Sequence, residues 1–191
     1  MKEEDLLAIL NETNAIQAGH FFLSSGLHSE QYIQLARVFQ YPKYTSRIAN
    51  ALIENFRVDR PAIITGVATG AVILAYEVAR AIGARAMFAE RQNGKLVFKR
   101  GFEIRNRERV LIVEDVITTG KSVLELKALL KNFQPLIVGV GAIIDRTEEG
   151  FKIRNKYECL LKYTLPTYKS DDCPLCKKEI PLVKPGSRDN I

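Results

Sequence analysis

The chain lacks any apolar run long enough to cross a bilayer. Roughly 18 to 20 consecutive apolar residues are needed for a helical span, and the longest candidate, Leu136 to Ile144, is broken by Gly139 and Gly141. No integral membrane segment is therefore expected. Cysteine is scarce as well: three residues, an odd number, do not form a disulfide framework and suit a reducing compartment. Internal repeats and low-complexity stretches are missing. The first residues, Met1-Lys2-Glu3-Glu4-Asp5, lack the basic character of a signal-peptide n-region, so the expected location is the cytoplasm.

What is present is the balance of an ordinary globular protein, 191 residues with 47% hydrophobic and 26% charged. That length supports one domain with a tail and a sizeable core. The 28 basic against 22 acidic residues leave a net charge of +6, which favours anionic partners: phosphorylated metabolites, nucleic acid or anionic lipid.

Leu6, Leu7, Ile9, Leu10 and Ile16 recur at roughly helical spacing and predict an amphipathic helix over 5–16. A turn-rich stretch, Ser24-Ser25-Gly26-Leu27-His28-Ser29, separates two short extended pieces around 21–23 and 32–35. From Tyr44 the pattern alternates: helix 44–56, strand 62–65, helix 71–82, strand 85–89, strand 109–113, helix 122–133, strand 136–144. Continuous apolar strands between helices predict an α/β fold with a parallel sheet covered on both faces. Asn93-Gly94 predicts a type I′ hairpin within a basic arm. Residues 169–191, rich in Pro, Lys and Asp, read as an extended tail.

The informative segment runs from Arg109 to Ser122. An apolar strand ends in Glu114 and Asp115, then passes through Thr118, Thr119 and Gly120 into a helix begun by Lys121 and Ser122. Ligands of open α/β sheets bind at the carboxyl ends of the strands. A helix start with free amides and hydroxyls accepts a phosphate, and neighbouring carboxylates accept hydrogen bonds from sugar hydroxyls. Phosphate plus diol points to a ribose 5-phosphate. A P-loop is excluded because Asp115 stands where its first glycine belongs, and a dinucleotide fingerprint fails because Ile144 follows Gly139 and Gly141 at the third glycine position. The plain alternative is a helix cap with solvated acids.

This strand and loop resemble the phosphoribosyl pyrophosphate motif of the type I phosphoribosyltransferases, matched throughout Val110 to Ser122. The resemblance implies that superfamily's fold, with a small N-terminal hood built largely from 1–40 and a projecting hairpin, over a domain spanning 1–168 and followed by the extension 169–191. It also implies Mg²⁺-dependent transfer of ribose 5-phosphate to a nitrogen nucleophile with loss of pyrophosphate, the metal bound through pyrophosphate and Asp115.

Phe22 to Ser29 with Tyr32 is similar to the N-terminal signature of the orotate phosphoribosyltransferases, and Asp145-Arg146 matches the position of an arginine that contacts orotate in that family. An arginine fork suits the ring carboxylate; the plain reading of the same pair is a surface ion pair. The resemblance further implies that Ser24, Tyr32 and Thr118 line the site. It places Gly66 to Gly70 at the pyrophosphate loop, with Thr69 and Ser24 at positions where some members carry lysine. Arg91, Lys95, Lys99 and Arg100 fall on the family's mobile catalytic loop, without its usual histidine, and a homodimer is implied in which that loop reaches the partner's site. The rival readings are a phosphoribosyltransferase for another nucleobase and an RNA-binding regulator of the same fold, against which the basic residues form no single stripe with interleaved aromatics.

Cys173-Pro174-Leu175-Cys176 has the spacing of half a zinc site, but such a site needs further ligands, and only Cys159, His20 and His28 remain. Two plain thiols or a labile disulfide is the expected state.

Overall fold

The structure, a computed structural model, describes residues 1–23 and 25–185. A six-stranded sheet forms its centre, built from β3 (Ile63–Val67), β4 (Arg85–Gln92), β5 (Lys95–Val97), β6 (Arg109–Ile117), β7 (Leu136–Asp145) and β8 (Tyr157–Lys162), in the spatial order β5-β4-β3-β6-β7-β8. All neighbours run parallel except β4 and β5, which form the antiparallel hairpin. Its turn has φ of +50° at Asn93 and +77° at Gly94, as a type I′ turn requires.

A second sheet is antiparallel and combines β1 (Ile16–Phe22) and β2 (His28–Ile33) with the two-residue β9 (Thr167–Tyr168). The expected helix 5–16 is shorter: α1 covers Glu3–Glu12, because Ile16 belongs to the strand that follows. The remaining helices are α2 (Ala36–Phe39), α3 (Pro42–Glu54), α4 (Ala68–Ile82), α5 (Lys121–Leu130) and α6 (Pro174–Lys177). None of the described helices is long and apolar enough to cross a membrane.

Alternation along β6 distributes two cores. Leu111 and Val113 pack with Ile48 and Leu52 of α3 and Leu74 and Val78 of α4, whereas Val110 and Ile112 pack with Val123, Leu126 and Leu130 of α5. Gly139 and Gly141, which fail as a nucleotide fingerprint, have a packing role instead. A Cβ at Gly139 would stand 2.5 Å from the Phe56 ring and one at Gly141 3.2 Å from it, so the strand is kept bare where the aromatic ring packs on it.

The C-terminal extension departs from the expected open tail. Residues 169–185 fold against the hood: Phe22 donates its amide to the Val183 carbonyl, and Val183 returns a bond to the His20 carbonyl, both at 2.8 Å. Backbone groups of the β1 edge thereby find partners that an open tail would leave to water.

Candidate functional site

The site is organised by the extension of β6 beyond the point where the sequence predicts its end. The strand continues through Glu114 and Asp115 to Ile117, held in parallel register by Ala142 opposite Glu114 and Asp145 opposite Ile117. Adjacent strand residues point to opposite faces, so the two acids diverge. Asp115 follows Leu111 and Val113 toward α4, where its carboxylate lies against Gly70; a Cβ on Gly70 would come 2.1 Å from Asp115 Oδ2. Glu114 follows Ile112 toward α5 and lines a recess of about 40 Å³ with residues 116–123. The two acids thus line different recesses, although their side chains still interact.

Their electrostatics differ accordingly. Glu114 is buried at 8% exposure, and burial pushes its carboxyl well above the ordinary glutamate range, with the neighbouring Asp115 charge adding to the shift. Asp115 is half-buried, and its Oδ1 accepts the Val116 amide at 3.0 Å. The recess beside Glu114 is the start of α5. Gly120 occupies the cap position with φ +71° and has no side chain to cap the helix, the Lys121 amide donates to Thr119 Oγ1 at 3.3 Å, and the first turn carries no acid to offset the dipole. Thr119, Gly120, Lys121 and Ser122 line this recess. Phe151 covers Gly120 so closely that a Cβ there would fall 2.1 Å from its ring.

Next to the recess opens a cavity of about 520 Å³ between the two sheets, lined by Asp115, Thr118, Thr119, Arg146, Tyr32 and Leu23 among others. Arg146 is its distinctive group. Its backbone amide donates to the Ile117 carbonyl at 2.8 Å, which fixes it at the strand end. Its side-chain Nε is buried and has no hydrogen-bond partner among the described residues. Burial also depresses its pKa, partly offset by the Tyr32 hydroxyl nearby. The expected alternative, an Asp145–Arg146 ion pair, does not form. Asp145 is 2% exposed and accepts instead from the Thr147 amide and hydroxyl, the Phe151 amide and the Tyr157 hydroxyl. Asp145 thus shapes the 146–151 loop, while Arg146 is left free to face the cavity.

Tyr32 lines the same cavity, packed at 5.7 Å between ring centroids on Phe21, and its hydroxyl pKa is raised by burial. Other sequence-selected residues lie elsewhere. Thr69 sits in the first turn of α4, which begins at Ala68 and not after Gly70, and it is exposed outside this cavity. Arg91 pairs with Glu125 and Arg100 with Glu90, the latter through two bonds of 3.0 and 2.8 Å. Lys95 and Lys99, like these arginines, do not line the cavity. The hairpin therefore stands away from the site of its own chain. Ser24 falls outside the described residues.

Phe151, Thr147, Glu148, Thr167 and Pro185 were not selected from the sequence, although the last four line the cavity and Phe151 closes over Gly120. Thr167 lies on the two-residue β9 and the others come from loops with no local pattern. The one available signal was Asp145, a buried acceptor at a strand end that organises the following turn.

A phosphoribosyl transferase domain model matches residues 38–166. Orotate phosphoribosyltransferase of Caldanaerobacter subterraneus subsp. tengcongensis is 47% identical over 188 residues, covering 98% of this chain and 99% of the relative. The enzyme of the same name from Thermotoga petrophila is 47% identical over 180 residues, covering 94% and 96%. Among solved structures, orotate phosphoribosyltransferase from Aeropyrum pernix superposes with a TM-score of 0.67 at 24% identity, over 82% of this chain and 93% of that one; at that identity the likeness concerns the fold.

Proposed function

The chain belongs to the orotate phosphoribosyltransferase family, and from that premise we propose that its cavity joins phosphoribosyl pyrophosphate to orotate, giving orotidine 5′-monophosphate and pyrophosphate in pyrimidine biosynthesis. The observation that carries this reading is the unpartnered, buried Arg146 Nε one cavity wall away from an uncapped helix start. A buried guanidinium donor without a partner costs free energy that a bound carboxylate recovers. The ring carboxylate of orotate supplies it, whereas adenine, hypoxanthine and uracil carry none.

In this reading the amides and hydroxyls of 118–122 hold the 5′-phosphate, and Asp115 accepts from the ribose diol. Glu114, whose burial favours its acid form, lies beside the phosphate and can donate in that form as well as accept. The transition state carries positive charge at the anomeric carbon and negative charge on the departing pyrophosphate, so catalysis rests on placed charges and not on a covalent nucleophile.

Mg²⁺ suits the donor set here, a hard carboxylate oxygen of Asp115 turned toward Gly70, because that ion binds through one or two carboxylates plus substrate phosphates. When bound it neutralises charge on the leaving group. Ile73 and Tyr76 are exposed on α4, and Ile73 shares a second cavity of about 550 Å³ with Thr69, Phe88 and Arg91. These features support a homodimer in which the hairpin cations serve the partner's site. The cytoplasm is the compartment that suits this reaction and three cysteines outside any disulfide.

The test is an absorbance assay of orotate consumption with phosphoribosyl pyrophosphate and Mg²⁺, with adenine, hypoxanthine and uracil run in parallel. Turnover of orotate alone is the expected result. Turnover of a base that lacks a carboxylate, at equal or higher rate, contradicts the assignment.

A further inference from the structure

The hood and the C-terminal extension meet at four side chains that the transferase reaction does not use. His20 on β1, His28 on β2, and Cys173 and Cys176 flanking the first turn of α6 bring one ligand atom each within 4.8 Å of one another. Cys173 is fully buried, and His20 and His28 are 3% and 5% exposed. From these residues we propose that the four chelate a structural zinc ion, which staples the extension onto the hood.

The spacing of the ligand atoms is that of a coordination shell. His20 Nε2 lies 3.5 Å from Cys173 Sγ and 3.7 Å from Cys176 Sγ, and Cys176 Sγ lies 3.3 Å from His28 Nδ1. A tetrahedron with Zn–N of about 2.0–2.1 Å and Zn–S of about 2.3 Å has edges of about 3.3–3.8 Å. The remaining recorded edge, His20 Nε2 to His28 Nδ1, is 2.9 Å and must open by a few tenths of an ångström around the ion.

Protonation points the same way. His20 Nδ1 stands 2.7 Å from the Ile180 carbonyl, which can only accept, so the ring proton sits on Nδ1 and the Nε2 lone pair faces the cluster. Zinc-bound histidines typically donate their other ring N–H to such a carbonyl, which orients the ring. Two thiolates and two imidazoles in a tetrahedral array are the donor set of zinc; an iron–sulfur cluster takes more thiolates.

The backbone is arranged to deliver these side chains. The irregularity in the β1–β2 register between Ala18 and Phe21 falls on His20, and bulges of this kind re-aim a side chain. His28 pairs with Tyr168 of β9, so the cluster closes a small sheet of three strands at its corner. A sheet of that size buries too little to be stable alone, and a metal supplies the difference. Phe22, Leu23 and Leu27 from the hairpin, together with Pro185 from the extension, line the large cavity, so the ion would set the position of two of its walls at once.

The experiment uses the full-length protein, purified reduced and without chelator, and measures its metals by elemental analysis. It is followed by stripping, titration with Zn²⁺ against a chromophoric chelator, and reconstitution with Co²⁺. About one zinc per chain is expected, as is a Co²⁺ spectrum with tetrahedral d–d bands and sulfur-to-cobalt charge transfer. Cys176→Ser, at the more exposed ligand, should weaken zinc binding on the order of a hundredfold or more, and stripping should lower the melting temperature by about 5 °C or more. A reduced protein that takes up neither Zn²⁺ nor Co²⁺ stoichiometrically, a different resident metal, or a Cys173–Cys176 disulfide after reducing purification overturns the proposal. None of these readouts depends on transferase activity.

Discussion

Replacing Glu114 by Gln and Asp115 by Asn together is expected to lower turnover by about two to three orders of magnitude in a protein that still folds. The two acids occupy different recesses, Asp115 against Gly70 and the large cavity, Glu114 beside the helix start. The double change therefore removes the Asp115 charge from the cavity and the titratable carboxyl of Glu114 beside the helix start. Asn keeps an oxygen for the Val116 amide that Asp115 now satisfies. Glu114 contributes the thermal part of the result. Its pKa is raised by burial, so the native state holds its proton over a pH range where the unfolded chain has released it, and stability falls as pH rises above the ordinary glutamate range. Gln carries no such cost. Glu114→Gln alone should raise the melting temperature at neutral pH by about 2–4 °C, with the gain vanishing in acid below the ordinary glutamate pKa. Parent-like turnover in a folded double variant would remove both acids from the mechanism.

Arg146→Ala is expected to raise KM for orotate by about a hundredfold, while KM for phosphoribosyl pyrophosphate stays within about threefold. Lysine at this position should recover only part of the loss, because an ammonium cannot present the planar two-bond fork of a guanidinium. The separation of the two substrates follows from placement: Arg146 lines the large cavity, and the phosphate recess beneath 116–123 does not include it. Steady-state kinetics with each substrate varied in turn measures it. Equal losses for both would show Arg146 to be structural.

Residues 109–122 are nearly complete as a sequence signal because everything they do is local: an apolar strand, acids, hydroxyls and a glycine that reaches φ +71° at a helix start. The alternation of helix and strand was legible for the same reason, and Asn93-Gly94 defined its hairpin. What could not be read was where β6 ends. Glu114 and Asp115 look like loop residues by polarity, yet the register with β7 carries the strand three residues beyond Val113 and then on to Ile117, which separates the acids. Pairing with a neighbouring strand decides such ends, not propensity.

The packing of the extension is hidden from the sequence for a related reason. Its composition is that of a tail, but His20 and His28 lie at the other end of the sequence, and no local spacing relates them to Cys173 and Cys176. For Asp145 and Arg146, adjacent in sequence, a surface ion pair is the plain alternative to an arginine that faces the ligand. Three donors from the loop that follows and the Tyr157 hydroxyl of β8 engage Asp145 and leave Arg146 Nε without a partner among the described residues, and only the folded loop reveals that.

The most direct measurement is a crystal structure of the protein with orotidine 5′-monophosphate. The 5′-phosphate should lie within hydrogen-bond distance of the amides of 119–122, and the ring carboxylate should bond the Arg146 guanidinium through Nε. A phosphate bound away from that helix start, or an Arg146 that leaves the base untouched, would contradict the account at its centre.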